Sequence, residues 1–127
     1  MQDRFKFRAW LKNENRYGYL LNLFNCGSNS QFEVEEYDEQ GNHYTVYSED
    51  EVILQQCTGL RDKNGKLIFE GDIVEREGFN PNIKRSVVVW DKEYLCFNVK
   101  KMSLYSLKNR SKIIGNIYEN PELLEVK

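Results

Sequence analysis

The sequence predicts a mainly β chain that closes on a short C-terminal helix. Short runs of alternating apolar and polar residues recur along it, clusters of Asn, Asp and Gly separate those runs, and Asn120-Pro121-Glu122 has the composition of a helix start. No repeat, low-complexity tract or linker divides the 127 residues, so residues 1–127 read as one domain. A chain of this length buries roughly 65% of its unfolded surface, enough for a core.

Phe5, Phe7 and Ala9 alternate with Lys6, Arg8 and Trp10, so the first strand turns an apolar face inward and its cations outward. Asn13-Glu14-Asn15 supplies a turn, and residues 17–24 read as the second strand. Cys26-Gly27-Ser28-Asn29-Ser30 has loop chemistry. Phe32 and Val34, then Tyr44 and Val46, flank Asp38-Glu39-Gln40-Gly41-Asn42, where Gly and Asn take the positive φ that a hairpin needs. Ser48 and Glu51 have capping-box spacing, which predicts a single helical turn before Val52-Ile53-Leu54, and Thr58-Gly59 follows too soon for a long helix.

Asp62-Lys63-Asn64-Gly65-Lys66 is the strongest turn signal in the chain. Leu67-Ile68-Phe69 leaves it as a strand, Gly71-Asp72 makes a second tight reversal, and Ile73-Val74 begins another strand. Phe79-Asn80-Pro81-Asn82 reads as loop, and residues 86–90, with three consecutive valines, read as a strand covered on both faces. Asp91-Lys92-Glu93 turns the chain into residues 94–99. Ile113-Ile114-Gly115-Asn116-Ile117-Tyr118 forms the last strand. Asn120 then serves as N-cap, Pro121 as first-turn proline and Glu122 as the acid that the helix dipole favours.

Composition removes several function classes. Eighteen Lys and Arg stand against twenty Asp and Glu, for a formal charge of -2, and 13% of residues are aromatic, which excludes a wholly disordered chain. A pI near 5.5 argues against a generic basic nucleic-acid binder. No run approaches the roughly 20 apolar residues of a membrane helix, and the start Met1-Gln2-Asp3-Arg4-Phe5-Lys6 has no apolar leader, so no membrane partner is expected. Cys26, Cys57 and Cys96 are odd in number, far apart and without a Cys-x-x-Cys pair, which predicts free thiols in a reducing compartment.

The segments Gln56-Cys57-Thr58-Gly59-Leu60-Arg61-Asp62-Lys63-Asn64-Gly65 and Ile68-Phe69-Glu70-Gly71-Asp72-Ile73-Val74 resemble the YopX family of phage and prophage proteins. Lys6-Phe7-Arg8-Ala9-Trp10, Val89-Trp90-Asp91 and Ile114-Gly115-Asn116-Ile117-Tyr118-Glu119-Asn120-Pro121-Glu122-Leu123-Leu124 agree in the same order, so the resemblance runs end to end and is weakest over residues 25–47. It implies a mainly β protein with an SH3-like small barrel, encoded by a phage or prophage and of unassigned activity, and the missing membrane and leader signals then make the host cytoplasm the expected location. It carries over no catalytic or binding residue, because the shared motifs are of turn and packing type. Gly59, Asn64, Gly65, Gly71, Asp72 and Gly115 read as turn residues, and Trp10 and Trp90 as core or interface packing.

Tested one by one, the chemical motifs give way to plainer explanations. Residues 58–66 hold two separated glycines within strand-turn-strand sequence, not a phosphate cradle before a helix. A calcium loop set on Gly65 puts Leu60 first, and one set on Gly41 puts Tyr47 twelfth, so the required acids are missing. The single imidazole, His43, lies beside the hairpin turn, where a solvated turn histidine is favoured over a base for Cys57 or Cys96. Glu70 and Asp72 share a strand side, but Gly71 between them breaks the strand and favours Asp72 as a turn cap. No catalytic, metal or cofactor-binding residue is therefore expected.

Charge distribution is more informative. Residues 31–56 hold eight acids and no Lys or Arg, while residues 84–112 hold eight bases against Asp91 and Glu93. Pairing of such segments between copies, or with a host or phage protein, predicts a non-catalytic, self-associating or protein-binding module, with a homo-oligomer expected. The alternative is nucleic-acid binding through Lys84, Arg85, Lys100, Lys101, Tyr105, Lys108, Arg110 and Lys112, with Tyr94 and Phe97 interleaved as stacking rings.

Overall fold

The computed structural model describes residues 6–26, 29–38, 41–77, 83–100 and 102–124; the side chains of Tyr19 and of residues 21–26, 29–30, 35–38 and 41–44 lie outside that description. The chain divides into two compact units, Phe5–Gln56 and Cys57–Lys127.

In the first unit, β1 (Phe7–Leu11) lies between β2 (Arg16–Cys26) and the start of β5 (Val52–Arg61), while β3 (Asn29–Asp38) and β4 (Gly41–Ser48) continue an antiparallel meander in the order β4-β3-β2-β1-β5. The period of two puts Ala9 and Leu11 on one face of β1 and Phe32 and Val34 on one face of β3. Tyr47, in register with Phe32, and Val52 complete that core, and Leu20 and Leu54 pack against it. Val46 takes the outward position of β4.

The second face of β1 differs from its expected solvent exposure. Trp10 is buried against Tyr17 with ring centres 4.9 Å apart, and the Arg8 guanidinium lies 4.5 Å over the Tyr17 ring. Arg8 Nε and Tyr17 Oη both donate to the Oε1 of buried Gln55, at 2.8 and 2.9 Å. A cation stacked on an aromatic ring keeps its charge solvated only at the edge, so this face is covered as well.

The turn at Asn13-Glu14-Asn15 forms as expected, with Asn15 at φ 52°. The segment at 26–30 is shorter as a loop than its composition suggests, since Cys26 pairs with Asn29 and the strands run into the reversal. Gly27 and Ser28, like the hairpin tip at Glu39 and Gln40, lie outside the described residues, but the Asp38 to Gly41 pairing forms the expected β3–β4 hairpin. Ser48 N–H donates to Glu51 Oε1 at 3.1 Å, closing the capping box over one 3-10 turn, Glu49–Glu51.

In the second unit the end of β5 pairs with β6 (Leu67–Phe69). There follow β7 (Asp72–Glu77), β8 (Ile83–Asp91), β9 (Cys96–Val99), β10 (Met102–Ser103), the one-turn helix α1 (Leu104–Leu107), a 3-10 turn (Lys108–Arg110), β11 (Ser111–Asn116) and a terminal 3-10 turn (Pro121–Leu124). Strand order is β10-β9-β8-β7-β11. A four-strand meander whose fifth strand returns through a helical turn to pair with the first is the arrangement of an SH3-like small barrel. Ile68, Val74, Val88, Val99 and Leu104 form its core, with Leu60, Phe97, Leu107 and Ile113 packed around them. Each such buried aliphatic side chain contributes about 1.5–3 kcal/mol.

Three expectations are corrected here. The valine run is not covered on both faces: Val88 is fully buried but Val89 is 46% exposed, because β8 is an antiparallel strand with one face on the core. Residues 94 and 95 belong to the turn, and the last strand ends at Asn116. The loop at 79–82 lies outside the described residues.

Candidate functional site

The motif-rich turns are built from backbone hydrogen bonds. Asp62 is buried; its Oδ1 accepts the N–H groups of Asn64 and Lys66, each at 2.9 Å, and its Oδ2 accepts that of Ile113 at 3.0 Å. Burial pushes this carboxyl's pKa up, but the three N–H groups and the nearby Lys66 outweigh it and hold the value below the ordinary range. Gly65, at φ 82°, supplies the left-handed position of the turn, beside Asn64. Asp72 Oδ2 accepts the Phe69 N–H at 2.7 Å, so its carboxylate caps the reversal at Gly71, the structural role expected over an acid–base pair with Glu70.

The cysteines divide in the same manner. Cys57 is fully buried, and Cys96 Sγ donates to Asn98 Oδ1 at 3.1 Å. His43 stands on β4 in register with Glu36, and its side chain lies outside the described residues. Among the described residues no three of His, Cys, Asp and Glu gather into a metal-holding group, and no helix is long and apolar enough to cross a membrane.

The basic segment is spread over β8, the β9–β10 turn, the 3-10 turn and β11. Lys100 occupies a left-handed turn position at φ 47°. Tyr105 projects from α1, 70% exposed, with Lys108 Nζ 5.5 Å from its ring centre. Phe97 is packed on the core and Tyr94 lies at the β8–β9 turn. Lys101 lies outside the described residues.

What does converge is a cationic concavity of about 400 Å³, lined by Lys63, Glu75, Arg76, Glu77, Ile83, Arg110 and Lys112. Strand pairing explains it. Glu75 of β7 lies opposite Arg85 of β8 and Lys112 of β11, and Arg76 lies opposite Lys84 and Ser111. Arg85 Nε bonds Glu75 Oε2 at 3.1 Å. The Asp62 turn delivers Lys63 here, with Lys63 N–H donating to Ser111 O at 2.9 Å. Lys63 and Arg76 fall outside residues 84–112 in sequence; counting charge along the chain misses them because antiparallel pairing, not sequence proximity, groups the cations.

A second exposed feature is the β8–β9 turn. Trp90 packs edge-on against Phe97 at 5.0 Å yet stays 44% exposed, and Tyr94 and Leu95 are 75% and 72% exposed. Asp91 organises this turn: Oδ1 accepts the N–H groups of Glu93 and Tyr94 at 2.9 and 3.2 Å, and Oδ2 accepts from the amide of buried Asn98 at 2.6 Å.

The YopX protein family profile matches residues 6–125. The chain belongs to this family. Among solved structures, this YopX chain is similar to the crystal structure of protein EF1440 from Enterococcus faecalis, with 26% sequence identity and a TM-score of 0.66, over 94% of this chain and 97% of that one. Comparison with curated proteins finds no match. Of the five segments that carry the YopX likeness, two lie in strands β1 and β8, and three form the Asp62 turn, the Gly71 reversal and the closing turn at Asn116, where Asn116 Oδ1 accepts the N–H groups of Tyr118 and Glu119 at 3.1 and 2.8 Å. The turns among these motifs order the barrel strands, and Val89-Trp90-Asp91 forms part of the exposed hairpin itself.

Proposed function

We propose that this YopX chain is a non-catalytic accessory protein of a phage or prophage, acting in the host cytoplasm by binding protein surfaces, first of all those of its own copies. The observation that carries the reading is the β8–β9 hairpin, where Val89, Trp90, Tyr94 and Leu95 present apolar surface to solvent. Residues 89–94 and Asn98 border a shallow concavity of about 520 Å³. Tyr and Trp dominate the energetics of protein interfaces, and a rim of Asp91, Lys92 and Glu93 around them has the usual apolar-centre, charged-edge composition. The Asp91 hydrogen bonds order the turn before a partner arrives, which lowers the entropy cost of association. A non-catalytic role accords with a chain that has one imidazole and an Asp72 committed to a cap.

Sedimentation or light scattering at tens of micromolar tests this. A species larger than the monomer is expected, and Tyr94→Lys should shift it towards monomer while melting within about 1 kcal/mol of the parent, as exposed substitutions do. A parent that is strictly monomeric at that concentration overturns self-association.

A further inference from the structure

Beyond that hairpin, we propose that the concavity bordered by Lys63, Arg76, Arg110 and Lys112 holds the phosphate backbone of a nucleic acid. Four cations face two carboxylates there, and Glu75 is already matched by Arg85. Among the described residues none of the four cations forms an ion pair, so positive charge remains in excess. Arg76 also lies directly across from Lys84 in the antiparallel register, a like-charge pairing that costs stability unless an anion screens it.

The cations are held by three separate segments that hydrogen bonds lock together. The turn carrying Lys63 is tied to β11 through Lys63 N–H to Ser111 O and Ile113 N–H to Asp62 Oδ2. Ser111 Oγ in turn donates to Leu107 O at 2.8 Å, anchoring the 3-10 turn that ends in Arg110. These bonds fix the backbone from which two guanidinium forks and two ammonium groups reach the concavity, the Arg76 Nη2 also lying 3.8 Å from Met102 Sδ, and such groups suit phosphate oxygens, Arg by bidentate contact and Lys as a point charge. Lys84, exposed on β8 opposite Arg76, prolongs the positive surface beyond the concavity, which fits a polyanion better than a single anion. Among the described residues that line the concavity the polar groups are cations and carboxylates, a lining suited to contact with the phosphate backbone.

Fluorescence anisotropy with a labelled mixed-sequence DNA duplex, its separate strand and an RNA of the same sequence tests the site. At low salt, binding to at least one probe is expected, with an affinity that falls log-linearly as salt rises. Arg76→Gln with Arg110→Gln should weaken it about tenfold and flatten the salt slope by about one to two counterions. Lys100→Gln with Lys108→Gln removes the same charge away from the concavity and should change affinity less than about twofold. Tyr94→Lys, which tests the hairpin, should not weaken it, so the two readings fail separately. The proposal is overturned by no binding of any probe at low salt, by equal losses in the two charge-matched variants, by millimolar inorganic phosphate displacing the probe at constant ionic strength, or by polyglutamate binding as tightly as the nucleic acids.

Discussion

Replacing Asp62 with alanine is expected to lower the melting temperature by roughly 10 °C, which for a chain of this length corresponds to about 3 kcal/mol. The substitution strands three backbone N–H groups, those of Asn64, Lys66 and Ile113, that converge on one carboxylate. The first two lie in an exposed turn and regain water, so most of the loss comes from Ile113 and from the turn's hold on β11. That hold matters because β11 is the edge of its sheet, and Asp62 and Lys63 occupy its outward backbone groups. Asp62→Asn should fall between the two, since an amide oxygen can still satisfy one side while its NH2 opposes a backbone donor on the other. The carboxyl titrates lower in the folded chain than in the unfolded one, so its contribution is complete above the ordinary carboxylate range. It is lost as the pH falls through that range to the depressed folded value. Denaturant midpoints between pH 7 and pH 3 should therefore fall more steeply for the parent than for Asp62→Asn. Parallel pH profiles, or an Asp62→Ala protein melting within about 2 °C of the parent, would show that the turn does not depend on this carboxylate.

Much of that turn is legible in the sequence, because its chemistry is local: an Asp accepts from the residues just after it, and a Gly takes the left-handed position. The same holds for Ser48 with Glu51, and for Asp72 at the Gly71 reversal. The reach of Asp62 to Ile113, 51 residues away, is not legible, because nothing local distinguishes a carboxylate that caps its own turn from one that also closes a distant strand. The exposure of Val89 is not legible for a related reason. A run of valines suits a strand buried on both faces and equally an antiparallel strand with one face open, and only the pairing of β8 with β7 and β9 decides. The basic segment shows what a count along the chain leaves out. Counting charge along residues 84–112 joined Lys100 and Lys108 to Arg110 and Lys112, while Arg76 became their neighbour only through the pairing of β7 with β11. The charge contrast itself persists at the level of the two units: Phe5–Gln56 carries four bases and nine acids, and the rest of the chain fourteen bases and eleven acids. Any anionic ligand is thus drawn to the unit with the small-barrel strand order.

Gly115→Ala should cost about 2–3 kcal/mol, and the reason is space. Gly115 lies at a register irregularity in β11, and a Cβ placed on it would stand 2.6 Å from Asn120 Oδ1 and 2.8 Å from both Asn120 Cβ and Cγ. Asn120 is not free to retreat. Its Oδ1 accepts the Asn116 N–H at 3.2 Å, and its own N–H donates to Asn116 O at 2.9 Å. The side chain expected to cap the terminal helix is thus turned back on β11, and the closing turn is a 3-10 turn with Leu123 N–H on Asn120 O at 3.1 Å. Ile117 N–H donates to Gly71 O at 3.0 Å, so a shift here propagates to the β6–β7 reversal. A double-mutant series separates crowding from other effects. In an Asn120→Gly background, which removes the three nearest atoms, the cost of Gly115→Ala should vanish or turn into a gain of up to about 1 kcal/mol, because glycine within a strand is ordinarily the less stable of the two residues. In an Asn120→Ala background it should stay intermediate, because the Cβ remains. Equal costs in all three backgrounds, read from denaturant midpoints at constant m, would show that the close approach of Asn120 is not what requires glycine at position 115.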